Sequence, residues 1–254
     1  MRDVWAHREV LDILARKDFQ TRYKRASFGL IWAVALPLLQ AVVLAMVFSK
    51  VIQVGTGSHF ALYVMSGVIA YAYFSTVVTN ATTAIVDGAG LTDKVWFPRA
   101  VLILVPSLSN LPGLGVTIVV LVVAIPVFGV RLGPQALLLV PATALLFAFA
   151  LALGLVLGAL DVYFRDVKFL VQAALMVWIY LTPILYPQHL LGGVGPWLDA
   201  NPLTGVVTVF HLATVGSGGP WVRPVLVAVL DTAILLVVGL EAQRHHDRLF
   251  VDQL

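Results

Sequence analysis

Cysteine is absent from all 254 residues, which excludes disulfides, thiolate metal ligands and a cysteine nucleophile. Charge is scarce as well. Asp, Glu, Lys and Arg make up 11% of the chain, against about a quarter in an average soluble domain. None of the five lysines follows a glycine, so GxxxxGK[ST] does not occur, and HExxH and Gly-x-Ser-x-Gly are missing too. His245 and His246 are adjacent near the end of the chain and read as solvated tail rather than a metal site. The sequence therefore offers no catalytic constellation, no metal site and no nucleotide or other cofactor site of its own. A net charge of +3 is too small to suggest nucleic acid as a partner.

What the chain has in abundance is apolar length: 60% of its residues are hydrophobic. Six runs reach the length of about 17 residues or more that a membrane-spanning helix needs. They lie at Phe28 to Val51, Phe60 to Val86, Ala100 to Phe128, Gln135 to Leu160, Val167 to Tyr186 and Pro224 to Leu240. The expectation is an all-α polytopic membrane protein forming one transmembrane domain over 1–254. Residues 1–27 form an interface segment, 28–240 the six spans and 241–254 a tail. The charged N-terminus and the length of the first apolar run argue against a cleavable signal.

Lysine and arginine are distributed unevenly. Thirteen of the sixteen fall in the N-terminus, the second and fourth loops and the C-terminus, leaving Lys50, Arg131 and Arg223 on the other side. This places both termini in the cytoplasm. Val4, Leu11 and Leu14 share one helical face with Val10 at its edge, so residues before Ser27 read as a weakly amphipathic helix along the cytoplasmic interface. Asp3 and Asp18 intrude on its apolar side. A solvated helical tail is the alternative. Between Tyr186 and Arg223 lie apolar segments too short to span, broken at Pro196, Pro202 and Gly216 to Gly219. They are expected to form re-entrant or interfacial helices at the outer face, where protein or water satisfies non-helical backbone.

The insert DGAGLTDKVWFPR, from Asp87 to Arg99, separates two spans and must sit in water at a membrane face. Pro98 disfavours helix at Phe97, so one or two turns around Leu91 to Trp96 are predicted, with Leu91 and Val95 on one face and Asp93 and Lys94 outward. An ordinary interfacial turn is the bland alternative. On the second span Tyr71, Phe74, Ser75, Val78, Thr79 and Thr82 recur at helical spacing. Aromatic rings suit the C–H faces of sugars and hydroxyls suit their hydrogen bonds, so this face is a candidate translocation path, with Trp178 and Tyr180 adding to it. Helix packing accounts equally for small and hydroxylated residues. Asp231 falls in the middle of the last apolar run, where a carboxylate is costly and raises a functional role; an acid simply protonated or hydrogen-bonded to a neighbouring helix is the favoured, structural reading. Asp161 and Arg165 are spaced to pair across one helical turn.

Three ordered segments carry a family resemblance: RYKRASFGLIWAVALPLLQ from Arg22, the insert with KVWFPRAVLIL, and DVYFRDVKFLVQAALMVWIYLTPILYP from Asp161. Together they resemble ABC-2 type permeases of the polysaccharide, O-antigen and teichoic acid exporter group. The resemblance implies a transport subunit, not an enzyme, in the cell inner (cytoplasmic) membrane. It would pair with a second copy of itself and with two separate ATPase subunits that bind ATP and Mg. It implies that Leu91, Thr92, Asp93, Lys94, Val95, Trp96 and Phe97 form the coupling helix that docks on the ATPase, and that the cargo is a lipid-linked polysaccharide or teichoic acid polymer. Arg22, Lys24 and Arg25 are then candidates for receiving the carrier pyrophosphate at headgroup depth, since arginine offers a two-pronged match to phosphate. The competing role for these cations is to set orientation and attract anionic membrane lipids. A permease for a drug or small lipid is the near alternative. A stand-alone membrane enzyme or carrier acting on lipid-linked sugars is the distant one.

Overall fold

Long apolar runs without water to satisfy the backbone favour helices, whose N–H and C=O groups pair internally. The computed structural model takes that solution. It describes residues 7–23, 29–50, 59–92, 97–188, 192–193, 195–216 and 219–246, all helix, turn or irregular, with no strand among the described residues. The helices are α1 (Arg8–Tyr23), α2 (Ile31–Lys50), α3 (Phe60–Asp87), α4 (Ala89–Thr92), α5 (Ala100–Ser109), α6 (Leu111–Val127), α7 (Leu139–Tyr163), α8 (Val167–Leu181), α9 (Gly195–Leu198), α10 (Pro202–Val215) and α11 (Val222–His246). A 3-10 turn, Pro134–Leu138, runs into α7.

Five stretches have the length and composition to cross a membrane: Ile31–Lys50, Phe60–Asp87, Ala100–Val127, Pro134–Tyr163 and Val222–Arg244. The third is interrupted at Asn110, between α5 and α6. Pro106 and Pro112 both lack an N–H, and the Asn110 side-chain amide donates to the Pro106 carbonyl at 2.7 Å, bridging the break. The run expected to cross from Val167 to Tyr186 is helical only as far as Leu181. Thr182, which precedes Pro183, is extended at φ −106°, ψ 138°, as the clash with a following proline ring dictates. With 15 residues in α8 and 14 in α10, neither helix alone has spanning length.

α3 is the axis of the molecule. It packs against α2, α5, α7, α8 and α10, and α11 closes over α7 and α10. Phe74, Phe149 and Phe210, from α3, α7 and α10, are fully buried in one core. α2 and α11, in contrast, turn most of their apolar side chains outward. The tightest contact joins α10 to α11: a Cβ on Gly205 would stand 2.1 Å from the Pro224 carbonyl oxygen, so the two helices meet backbone to backbone. α10 then ends at Gly216 in the left-handed conformation, φ 72°, with its N–H bonded to the Leu212 carbonyl.

α1 lies across α5 at one end of the bundle. Val10, Leu11 and Leu14 pack against Phe97, Val101 and Leu102, so the amphipathic face read from the sequence is used against protein. The acid that breaks this face is satisfied locally: Asp18 Oδ2 accepts from Arg22 Nε at 2.9 Å and from the Ser109 hydroxyl at 2.5 Å.

Candidate functional site

A groove of about 740 Å³ runs between α2, α3 and α8. α3 contributes Tyr71, Ser75, Thr76, Thr79 and Asn80, which its helical repeat places along one side. Gln40 and Leu44 of α2 form one wall, and Gln172, Met176, Ile179 and Tyr180 of α8 the other. Arg22, from the end of α1, reaches the same space. The Tyr71 hydroxyl donates to the Leu175 carbonyl and ties α3 to α8 across the groove. The walls are mixed, with amides and hydroxyls beside methionine, isoleucine and leucine.

Of the residues expected along a path, Tyr71, Ser75, Thr79 and Tyr180 line this groove; Phe74, Thr82 and Trp178 do not. Phe74 is fully buried, stacked on Phe149 with ring centres 5.3 Å apart and edge-on to Trp178 at 5.5 Å. Thr82 is buried and donates to the Val78 carbonyl within its own helix. Trp178 points its Nε1–H at Asn201 Oδ1, 3.0 Å away. Neighbouring helices fill the positions that periodicity alone assigns to one face.

Asn201, with Gln40, Asn80 and Gln172, is a residue that pattern reading passed over. Its side chain caps α10 by accepting from the Leu203 N–H at 3.1 Å, and its amide donates to the Leu181 carbonyl and the Thr182 hydroxyl at 3.2 and 3.1 Å. Asn followed by Pro is a signature of a helix start, and that signal was available in the sequence. The Tyr63 hydroxyl donates to the Pro183 carbonyl at 2.8 Å, with the Tyr186 carbonyl at 3.3 Å. Side chains thus satisfy the irregular backbone after α8. Tyr63 also stacks on the buried His211 ring of α10 at 3.5 Å, pinning α10 to α3. Glutamines inside apolar runs were the missed signal for the groove.

In the insert, the described helix is α4, from Ala89 to Thr92, which takes in Leu91 and Thr92 of the predicted turn. Leu91 is exposed and borders a second cavity of about 300 Å³ shared with Lys17, Asp18, Arg22 and Asp87. Phe97 is buried beneath α1, so in this chain it acts as an anchor of the insert rather than as exposed docking surface. Asp93, Lys94, Val95 and Trp96 fall outside the described residues, as do the side chain of Thr92 and the entrance cations Lys24 and Arg25. Arg22 is described, and its Nε is engaged by Asp18. Earlier on α1, Asp12 holds the exposed Arg16 guanidinium above its ordinary value, first by a hydrogen bond and then by charge.

The expected pair of Asp161 with Arg165 is not formed. α7 ends at Tyr163 and Phe164 is extended, which carries Arg165 off the helical register. The buried Asp161 carboxylate instead accepts from the Lys168 backbone N–H at 3.2 Å and satisfies an orphan donor at the start of α8. Asp231 is half-buried on α11.

Among the described residues, a helical bundle with five stretches of membrane-spanning length and a polar groove beside its central helix is the architecture of a polytopic membrane protein. Residues 9–213 match the sequence model of the ABC-2 type transporter family, and the chain belongs to that family. It is 28% identical over 205 residues to an O-antigen export system permease protein RfbA of Klebsiella pneumoniae, covering 78% of this chain and 77% of that protein. It is 26% identical over 240 residues to the protein of the same name from Myxococcus xanthus, covering 93% and 92%.

Proposed function

We propose that this chain is the permease subunit of an exporter that moves a lipid-linked polysaccharide from the cytoplasm across the inner membrane. The observation that carries the reading is the groove between α2, α3 and α8, a mixed polar and apolar strip in an otherwise apolar bundle. Sugars present hydroxyls at their edges and C–H groups on their faces, and such a strip meets both. The names of the relatives, O-antigen export permeases, point to the same cargo class.

In this reading α8 and the irregular segment after it complete a sixth crossing, with α9 and α10 as re-entrant elements at the outer face. Both termini are cytoplasmic, in line with the lysine and arginine bias. Two copies form the conduit, and two ATPase subunits, which bind ATP and Mg, drive it. The insert around α4 is the docking element for the ATPase. Arg22, which borders the groove, receives the carrier pyrophosphate together with Lys24 and Arg25.

Deleting the gene tests this directly. The expected result is loss of a surface glycan and its accumulation on lipid carrier inside the cell. An unchanged surface glycan profile would overturn the reading.

A further inference from the structure

The groove carries a second message in its charge. Gln40, Ser75, Thr79, Asn80, Gln172 and Tyr180 on its walls are all uncharged groups that both donate and accept hydrogen bonds. The formally charged side chain described on the wall is Arg22, and Asp18 sits 2.9 Å from its Nε, offsetting that charge at the groove's end. Tyr71 and Thr76, also uncharged, and the apolar Leu44, Leu175, Met176 and Ile179 supply the rest of the lining. An anionic group on every repeat of a polymer would lose its water against these walls and, among the described residues beyond Arg22, meet no counter-charge within them. A neutral sugar exchanges its hydrogen bonds to water for bonds to amides and hydroxyls at little cost.

Resting on the polymer-export reading above, we infer that the groove takes a glycan whose repeating unit is uncharged and discriminates against polymers with a phosphodiester in each repeat. Arg22 at one end suits a single anion on the carrier, not a charged chain. This narrows the cargo from polysaccharide or teichoic acid to neutral polysaccharide.

The chain has no cysteine, so Thr79→Cys introduces one reporter at the groove. The full-length Thr79→Cys chain in lipid nanodiscs is labelled with a maleimide in the presence of either of two probes. One is a neutral dextran oligosaccharide and the other an oligo(glycerol phosphate) of equal length, both on the same polyprenyl pyrophosphate. The neutral probe should slow labelling at least about fivefold and the phosphate polymer less than about twofold, a ratio above about 2.5 that corresponds to about 0.5 kcal/mol or more of selective binding. Adding Gln172→Lys should create protection by the phosphate polymer that the parent lacks. Equal or stronger protection of the parent by the phosphate polymer overturns the inference and leaves export of a polymer standing. Failure of both probes to protect overturns the groove as a glycan site altogether, and the gene-deletion phenotype then decides separately whether the export reading survives.

Discussion

Asp18 and Ser109, 91 positions apart in the chain, are joined by a 2.5 Å hydrogen bond that fastens α1 to α5. The same carboxylate oxygen holds Arg22. One half-exposed acid therefore fixes the angle of the first helix and the position of the cation at the groove.

Removing either partner should loosen α1 without unfolding the bundle. Hydrogen bonds to charged groups are worth about 1.5–3 kcal/mol, and the partial exposure of Asp18 places this one at the low end. Ser109→Ala should speed hydrogen exchange of the α1 amides about tenfold, while amides in α3 and α7 are unaffected. Unaltered exchange in α1 would show that apolar packing of Val10, Leu11 and Leu14 suffices.

Phe74 and Tyr180 separate packing from transport. Phe74→Ala empties a site enclosed by Phe149 and Trp178 and should cost about 3–5 kcal/mol of stability. Tyr180 is 56% exposed, so Tyr180→Ala should leave thermal unfolding in detergent within about 0.5 kcal/mol and reduce surface glycan. A Tyr180→Ala variant with full export would remove this wall from the path.

Gly205→Ala should be strongly destabilising, because the added carbon would meet a backbone oxygen that has no rotamer to escape into. Overpacking ordinarily costs about 1–3 kcal/mol, and a rigid obstacle puts this substitution at or above the upper end. A melting temperature unchanged from the parent would mean that α10 and α11 separate freely.

The insert makes a two-part prediction. Thr92→Cys and Asp93→Cys should cross-link to a cysteine-bearing ATPase subunit, whereas Phe97→Cys, buried under α1, should not. Labelling of residues 92 and 93 from outside the cell would invert the topology and end the docking role.

Much of the fold was legible because hydrophobic length and proline position act locally. The bounds of α3 agree with the expected span to one residue, whereas α8 stops at Leu181, short of the expected Tyr186, because Pro183 holds Thr182 extended. Contacts between distant segments were not legible. Periodicity put Phe74 and Thr82 with Tyr71, but α7 and α8 decide which of those positions remain open. Spacing paired Asp161 with Arg165, yet the extended Phe164 broke the register and gave Asp161 to a backbone donor. Asp18, which looked misplaced on an apolar face, needed Ser109 to make sense. Gln40 and Gln172 became meaningful once α2 and α8 stood on either side of α3.

The early end of α8 bears on the bilayer itself. Fifteen residues rise about 22 Å, roughly 8 Å short of an average hydrocarbon core. From Leu181 on, backbone carbonyls accept from side chains, Leu181 from Asn201 and Pro183 from Tyr63, instead of continuing a helix. A membrane-facing element this short is accommodated by local thinning or by water drawn in from the headgroups. On the six-crossing proposal, hydrophobic mismatch at this one helix shortens the dry part of the crossing beside the groove, and lipids of longer acyl chain should slow export by restoring it.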